Sequence, residues 1–313
     1  MNATVLAPTV EMEHEQWLEA RRKGIGGSDA AAIAGLNKWK SPVQVYLEKT
    51  GQAPEEEAGE AAYWGNILED VVAQEFSNRT GLKVRRRNAI LRHPKHEWMI
   101  ANVDRLIVGE RTGLECKTAS EYLKDEWAGD EVPATYLIQC QHYMAVTGYD
   151  AWWIAVLIGG NKFVYKKIER DDELISYLID IERDFWENHV KKRIPPAFDG
   201  SDASSDLLKV LYPEAAPESD IELPDEADKL IEALEQINAE LKEIETQKKE
   251  YENRLKGMLG EFETGVASNH IVTWKNVTSN RVDTKKLKKE RPDIYEQYLK
   301  KSTSRRFNIK EAN

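Results

Sequence analysis

The sequence predicts an α+β domain over residues 1–196, an acidic linker over 197–224, and a C-terminal segment over 225–313 that is built on one long helix. Helix-type and strand-type segments follow one another as helix, strands, helix, strands, which is typical of α+β proteins and unlike a regular doubly wound fold. A chain of 313 residues that is 41% hydrophobic is long and apolar enough to bury a core. Beyond the linker, apolar residues recur at alternating steps of four and three, which indicates a helix that packs along another helix.

The helices of the first domain are predicted from apolar residues at helical spacing and from the glycines and prolines that bound them. The segment 60–80 has an apolar stripe that ends at Gly81, and the stripe consists of Trp64, Ile67, Leu68, Val71, Val72 and Phe76. A small-residue helix, AAAIAGL, follows the turn GIGGSDA, where Ser28 or Asp29 is expected to cap it. Further helices are predicted over 17–24, 133–147 and 171–190.

Strand-type segments lie between the predicted helices 60–80 and 133–147, and again between helices 133–147 and 171–190. They are rich in β-branched and aromatic residues and are bounded by glycines and polar turns. The predicted strands are 83–91, 99–108, 113–118, and the two segments AWWIAVLIGG and KFVYKKIER.

The C-terminal third is organised by charge and by a heptad repeat. Residues 199–226 carry nine acids and one base, and their Pro, Ser and Ala content predicts a linker. The predicted helix 225–260 has a heptad seam, interrupted only at Lys248. The seam consists of Leu230, Leu234, Ile237, Leu241, Ile244, Tyr251, Leu255 and Met258. Such a coiled coil serves either assembly with a partner or packing within the chain, and a strand, HIVTWKNV, and a basic helix follow it.

Composition excludes several classes of protein. The net charge is −11, but residues 279–313 carry eleven bases and five acids, and a second basic run over 79–95 centres on Arg85, Arg86 and Arg87. Local patches therefore decide affinity for nucleic acid. Two cysteines cannot form a disulfide scaffold or a four-cysteine metal site, and they suit a reducing cytoplasm. No apolar run approaches the roughly 18 residues of a membrane span, and the N-terminus lacks the pattern of a secretory signal.

The segment ANVDRLIVGERTGLECKTA carries the sharpest chemical pattern. Alternate side chains of a strand share a face, so Glu115 and Lys117 are expected on one face and Cys116 in the core. A hairpin would bring Asp104 beside Glu115. Carboxylate oxygens suit Mg²⁺, which activates water for phosphodiester hydrolysis, and an ammonium group stabilises developing negative charge. Taken alone, the pattern is a weak motif that occurs often by chance, and a structural salt bridge is its more common explanation.

Several separated blocks resemble a known family. They are Trp17, Arg21 and Ser28; Trp64, Gly65 and Glu69; the VD and ECK residues just described; and YLIQCQHYMAVTGYDAWW. Together they resemble the PD-(D/E)XK nuclease superfamily, and more closely the YqaJ-like viral recombinase family, which is akin to phage lambda exonuclease. The resemblance covers about residues 13–195, and the heptad helix and basic tail are also similar to those of phage and prophage YqaJ proteins. Val103 stands where the motif's name has proline, which is a variable position.

The resemblance implies a restriction-endonuclease-like core, in which helices flank a central mixed sheet. It implies that Asp104, Glu115, the backbone carbonyl of Cys116 and Glu69 are metal ligands. Lys117 would be the catalytic lysine, and Gln139 would position the attacking water or Lys117. The remaining implied roles are 5′-phosphate binding by Arg21 and Ser28 and contacts to the DNA backbone from Arg85, Arg86 and Arg87.

The function implied by the resemblance is a Mg²⁺-dependent 5′→3′ double-strand DNA exonuclease of phage or prophage recombination, with two ions per site and Mn²⁺ as an alternative metal. It would leave 3′ single-stranded tails for a RecT-like annealing protein in the cytoplasm of the bacterial host. Relatives that form rings around DNA imply a homo-oligomer, with a trimer as one candidate. The alternatives are a metal-dependent endonuclease or structure-specific resolvase, and a non-catalytic module that binds DNA or protein.

Overall fold

A mixed five-stranded sheet forms the centre of the first of two units, which divide between Tyr212 and Pro213. The structure is a computed structural model that describes residues 3–54, 59–217 and 219–310. The strands of the first unit are β1 (Thr4–Pro8), β2 (Val84–Arg86), β3 (Ala89–Arg92), β4 (Ile100–Asn102), β5 (Arg105–Ile107), β6 (Thr112–Ala119), β7 (Ala151–Ile158) and β8 (Lys162–Glu169).

The central sheet has the order β2-β5-β6-β7-β8, and β1, β3 and β4 form a smaller antiparallel sheet. Only β6 and β7 run parallel, in a register that pairs Thr112 with Ala151 and Ala119 with Ile158. A parallel pair needs a crossover, and a helix between the two strands supplies it. The predicted central mixed sheet flanked by helices is therefore confirmed.

Helices cover both faces of the central sheet. The helices of the first unit are α1 (His14–Arg22), α2 (Gly27–Ile33), α3 (Pro42–Thr50), α4 (Glu60–Thr80), α5 (Ala134–Thr147), α6 (Asp172–Asp184) and α7 (Asp202–Leu211), with a 3₁₀ helix at Glu121–Trp127 and a π-helical turn at Phe185–Val190. On one face, Phe76 of α4 packs with Leu114 and Cys116 of β6. On the other face, Met144 of α5 packs with Trp152 of β7. The crossover helix α5 therefore lies over the face of β6 opposite to the one that holds Cys116.

Several features of the first unit differ from the sequence expectations, and the predicted strands 83–91 and 99–108 are each divided into two strands. Strand β1 and helix α3 were not predicted. The apolar stripe of α4 is mostly not a buried face, because Trp64, Ile67 and Val71 are 46–54% exposed and only the C-terminal half of the helix packs on the sheet. Gly26 occupies the N-cap position of helix α2, and of the two predicted capping residues it is Asp29, three positions on, whose side chain accepts a hydrogen bond from the backbone of Gly26.

The predicted linker also differs from the structure over one stretch. Residues 202–211 form α7, which Ser201 caps by accepting a hydrogen bond from the backbone of Ser204. Ala203 and Leu207 are buried, so this helix packs although its composition is acidic. Glu218 of the predicted linker lies outside the described residues.

The second unit contains the predicted long helix, α8 (Glu226–Leu259), followed by β9 (Thr264–Val266), β10 (Ile271–Thr273), α9 (Thr284–Glu290) and α10 (Pro292–Gln297). Strands β9 and β10 form an antiparallel pair. The predicted basic helix is broken at Pro292, whose ring cannot continue a helix. The heptad helix exists as predicted, and its pairing into a coiled coil stays a prediction. No helix in the described ranges combines the length and the apolar character that a membrane crossing requires.

Candidate active site

The hairpin of β5 and β6 brings two carboxylates together. Asp104 lies directly before β5, and the register pairs its neighbour Arg105 with Leu114, so Asp104 falls beside Glu115. An Oδ2 atom of Asp104 accepts a hydrogen bond of 2.8 Å from the backbone N–H of Cys116. Glu115 is only 2% exposed. Two acidic side chains therefore share a mostly buried position at the edge of the hairpin.

Lys117 and Gln139 converge on the same carboxylate. The Nζ atom of Lys117 lies 2.6 Å from Oε1 of Glu115, as strand alternation predicted. Gln139 on α5 donates to the same oxygen at 2.6 Å and to the hydroxyl of Tyr143 at 2.8 Å. The ring of Tyr136 lies 5.5 Å from the ammonium group of Lys117. The strand and the crossover helix thus hold the amine and the amide side by side.

The electrostatics of this cluster follow from burial and from its unequal charges. Burial and the neighbouring charge of Glu115 raise the pKa of Asp104 well above its ordinary value. Burial disfavours the ammonium form of Lys117, but the charges of Glu115 and Asp104 outweigh that cost and raise the pKa of the lysine. The lysine is therefore a fixed positive charge, and ionisation of Asp104 beside Glu115 is disfavoured until a further cation offsets their mutual repulsion.

One unsatisfied atom makes the cluster suitable for a cation. Oε2 of Glu115 is buried and has no hydrogen-bond partner. A buried oxygen without a partner costs free energy, and a bound cation would remove that cost. In the described ranges no three His, Cys, Asp or Glu side chains form a complete metal cage. Mg²⁺ is commonly held by one or two carboxylates and keeps several waters, so Asp104, Glu115 and the carbonyl of Cys116 fit it.

Glu69 lies at the rim of the same site, where it is held by an arginine that sequence reasoning missed. Arg105 is 5% exposed at its side chain, and its guanidinium contacts Oε1 of Glu69 and Oδ1 of Asp70 at 2.5 Å each. It also donates to the backbone carbonyl of Asp104 at 2.7 Å. Glu69, Asp104 and Arg105 line one cleft of about 120 Å³. An arginine inside an apolar strand is the signal that could have revealed this network, because a buried charge needs partners.

Arg21 and Ser28 lie together at a second position. An Nη2 atom of Arg21 is 3.3 Å from Oγ of Ser28, whose side chain is exposed. The guanidinium also lies over the ring of Trp17, 4.8 Å from its centroid. The three residues of the first sequence block are therefore in contact, with polar atoms that face solvent.

A buried acid, Asp29, organises the cations around Arg21. It is fully buried, accepts a hydrogen bond from the backbone of Gly26 at 3.0 Å, and lies 2.6 Å from Lys49, 2.8 Å from Lys40 and 3.6 Å from Arg21. Burial alone would raise the pKa of Asp29, but these cations hold it well below the ordinary value. Lys49 also donates to the backbone carbonyl of Arg21 at 3.0 Å. The position of Arg21 is thus fixed from its backbone as well as from its side chain.

Gly27 joins the two clusters. A Cβ atom built on Gly27 would lie 2.7 Å from Cε1 of Tyr143 and 3.0 Å from Cγ of Gln139. Helix α2 therefore packs directly on the part of α5 that supplies Gln139. The arginine and serine of one cluster and the amide of the other belong to adjoining elements without a gap between them.

Replacing Gly27 with alanine is expected to lower the free energy of unfolding by about 1–3 kcal/mol, because the new methyl group overlaps the buried ring of Tyr143. Urea denaturation measures the loss. Gly26→Ala is the control, since its Cβ would meet nothing closer than 3.5 Å and should cost less than about 1 kcal/mol. Equal losses in the two variants would contradict the close packing of α2 on α5.

The three consecutive arginines do not act as one patch. Arg86 pairs with Asp70 at 2.5 Å and, with Arg87, lines the cleft that contains Asp104. Arg85 is opposite Leu106 in the register, so it projects from the other face of β2. Only Arg86 and Arg87 lie near the carboxylates, and the role of the triplet in DNA contact stays a prediction.

The fold and the family agree with the resemblance stated from the sequence. The exonuclease LHK-Exo in complex with dAMP is 22% identical, with a TM-score of 0.50, and the match covers 57% of this chain and 94% of that one. A crystal structure of the same alkaline exonuclease, from Laribacter hongkongensis, gives 20% identity and a TM-score of 0.48 over the same shares. At this identity the likeness to LHK-Exo in its dAMP complex establishes a shared fold.

The family is established by sequence. The YqaJ-like viral recombinase domain matches residues 16–150, a range that contains Arg21, Glu69, Asp104, Lys117 and Gln139. The protein YqaJ of Bacillus subtilis (strain 168) is 49% identical over 314 residues, covering 99% of this chain and 98% of its own length. The chain belongs to the YqaJ-like viral recombinase family.

Proposed function

We propose that the chain is a Mg²⁺-dependent 5′→3′ double-strand DNA exonuclease of phage or prophage recombination. The observation that carries the proposal is the cluster of Asp104, Glu115 and Lys117, in which a buried carboxylate oxygen lacks a partner. The family and the exonuclease fold support a nuclease that acts in recombination.

Each side chain of the cluster has a task that its position allows. Asp104, Glu115 and the Cys116 carbonyl hold the metal, which when bound polarises the phosphate and activates water. Lys117 keeps its positive charge beside the scissile phosphate and offsets the negative charge that develops there. Gln139 orients the nucleophilic water or Lys117 through its amide, which already contacts Glu115. Two ions per site, with Glu69 serving the second, and Mn²⁺ in place of Mg²⁺ are part of the proposal.

Polarity is proposed from the cluster around Arg21. A guanidinium and a hydroxyl that face solvent can grip a terminal 5′ phosphate, because an arginine donates two parallel hydrogen bonds to phosphate. Lys40, Lys49 and Arg21 lie around Asp29, and Glu48 pairs with Lys40, so the cluster keeps an excess of one positive charge that favours an anion. The close packing of Gly27 against Gln139 supports a phosphate-binding position next to the proposed hydrolytic cluster.

The wider setting of the reaction follows from the family alone. Resection would leave 3′ single-stranded tails that a RecT-like annealing protein takes up in the cytoplasm of a bacterial host. A homo-oligomer, for which a trimer is one candidate, would let the enzyme stay on DNA. No described contact bears on the annealing protein.

Linear duplex DNA labelled at either end tests the proposed reaction directly. With Mg²⁺ and a 5′ phosphate, label at the 5′ end should be released at once and label at the 3′ end only late. Chelation of the metal should stop both. Release of internal fragments, or cutting of a closed circle at a similar rate, would favour the endonuclease alternative. Absence of any cleavage with Mg²⁺ or Mn²⁺ would favour a binding module.

Arg21→Ala is expected to slow the digestion of 5′-phosphorylated ends by about 10- to 100-fold, because charge-assisted hydrogen bonds to the phosphate are lost. The initial rate on phosphorylated duplex is compared with the rate of nicking on a closed circle, which should change little. Arg22→Ala is the control, since Arg22 is exposed and pairs only with Glu19 at 3.4 Å. An equal loss of both reactions in Arg21→Ala would count against end recognition by this residue.

A further inference from the structure

Helix α8 presents a long apolar face that no described residue of its own unit covers. Along its 34 residues, the eight seam residues are 36–77% exposed. Leu259 is by contrast buried at 6% and meets Gly265 of β9, so the neighbouring hairpin covers the end of the helix but not its seam. A seam of this length that stays in water is costly, and another helix of the same period can bury all of it.

The heptad positions of α8 can be assigned from the alternation of four and three. Leu234, Leu241, Lys248 and Leu255 occupy the a positions, and Leu230, Ile237, Ile244, Tyr251 and Met258 occupy the d positions. Lysine at one a position puts a charge into the seam. Such a residue selects the register and the orientation in which its charge can be compensated.

Charge is distributed unequally along this helix. Residues 226–247 contain seven acids and two bases, whereas residues 248–259 contain four bases and two acids. Two parallel copies would place acidic half on acidic half and basic half on basic half. Two antiparallel copies place each acidic half on a basic half, so the helix is complementary in charge to its own reverse.

We propose that α8 pairs antiparallel with α8 of a second copy of this chain. The pairing that aligns a with d positions places Leu241 against Tyr251 and Ile237 against Leu255 of the other copy. The same pairing sets Leu234 against Met258 at the two ends. All eight apolar residues of the seam except Leu230 then have a defined partner layer.

In the antiparallel arrangement, the charge of Lys248 within the seam is compensated. Lys248 lies in the layer of Ile244 of the second copy, next to Glu245 of that copy at the edge of the seam. Within one chain, Lys248 already has Glu252 at 3.9 Å, in a surface pair with little energy. At the centre of the pair, Lys248 of each copy therefore lies next to Glu245 of the other copy.

A parallel arrangement places like charges together instead. Lys248 would meet Lys248 of the other copy in one layer, and Glu240 would lie beside Glu245 across the seam. In the antiparallel arrangement Glu240 lies beside Arg254 of the other copy. Both the central layer and the flanking charges therefore select the antiparallel orientation.

Cross-linking of the full chain tests the proposal without reference to nuclease activity. I237C and L255C chains, the latter with a larger affinity tag, are treated with a short bis-maleimide separately and as a mixture that has been allowed to exchange subunits. The native Cys116 and Cys140 are buried and do not compete. Only the mixture should give a covalent dimer, and its mass should be that of one chain of each kind.

The cross-linking experiment has a matched control pair and outcomes that would contradict antiparallel pairing. E243C mixed with K249C is the matched control, because both positions face outward in the same layer and should give no product. Cross-linking of I237C chains with themselves would show a parallel pair and overturn the proposal. Absence of product in every sample, together with no effect of α8 variants on the mass in solution, would show that α8 does not bind a second copy.

Exchanging the charges of Glu240 and Arg254 tests the antiparallel pairing without any cysteine substitution. Glu240→Arg should weaken self-association, measured by sedimentation in the full chain, on the order of 5-fold, since two symmetric pairs become repulsive. The double variant with Glu240→Arg and Arg254→Glu should restore the wild-type affinity. Failure of Arg254→Glu to rescue would contradict the antiparallel contact.

Discussion

Replacing Lys117 with methionine should lower the rate of phosphodiester cleavage on the order of 10³-fold. The ammonium group lies 2.6 Å from Oε1 of Glu115 and is the one cation in contact with that carboxylate among the described residues. Removing a charged group that stabilises developing charge in a water-poor site costs about 10²–10³ in rate. The measurement is a single-turnover rate on 5′-phosphorylated duplex DNA, with folding checked by circular dichroism.

A lysine of the same sheet provides the control for Lys117→Met. Lys167→Met removes a half-exposed lysine of β8 that contacts only Glu169, at 2.8 Å, and it should leave the rate within about 2-fold. Lys117→Met should still bind Mg²⁺, which raises the melting temperature when it binds. Cleavage that persists in Lys117→Met would remove the lysine from the reaction and return it to the role of a structural ion pair.

The second large effect is expected for Asp104→Asn, which should abolish metal-dependent stabilisation and reduce cleavage on the order of 10³-fold, because several kcal/mol of charge stabilisation are lost. Wild-type protein at Mg²⁺ near 100 times its Kd should gain about 2.7 kcal/mol of stability, and the variant should gain almost none. In chelator the variant should be as stable as the wild type or more so, because the amide retains the contact with Cys116 and no longer repels Glu115. Calorimetry with and without Mg²⁺ measures both quantities.

Asp70→Asn separates this effect from a general loss of negative charge. Asp70 is 66% exposed, pairs with Arg86 and Arg105, and lies near the same cleft without touching the buried carboxylates. Its Mg²⁺-dependent shift should equal that of the wild type. A lost shift in Asp70→Asn but not in Asp104→Asn would place the metal at the rim of the cleft rather than between Asp104 and Glu115.

The parts of the site that the sequence predicts are those held by local geometry. Strand alternation places Glu115 and Lys117 on one face and Cys116 on the other, and the structure agrees. A short hairpin is enough to bring Asp104 to Glu115. Such relations extend over a few residues, so the period of a strand and the length of a turn determine them.

The parts that the sequence does not predict depend on distant segments. Arg105 reaches Glu69, 36 residues away, and no periodicity links a strand residue to one side of a remote helix. Asp29 accepts the backbone hydrogen bond of a capping residue, but its second role, as a buried ion-pair centre for lysines of two later segments, has no local signal. The acidic composition of the predicted linker gave no sign of α7, a short helix that the burial of Ala203 and Leu207 stabilises.

The absence of a side chain at Gly27 has a consequence for how such an enzyme can be altered. Since the backbone of α2 at Gly27 lies against the ring of Tyr143 and Cγ of Gln139, there is no room for even a methyl group between the two helices. Under the proposed function, changes at this junction are expected to alter affinity for a DNA end and turnover together. Engineering of substrate preference will therefore have to begin at the exposed Ser28 rather than at the buried Gly27.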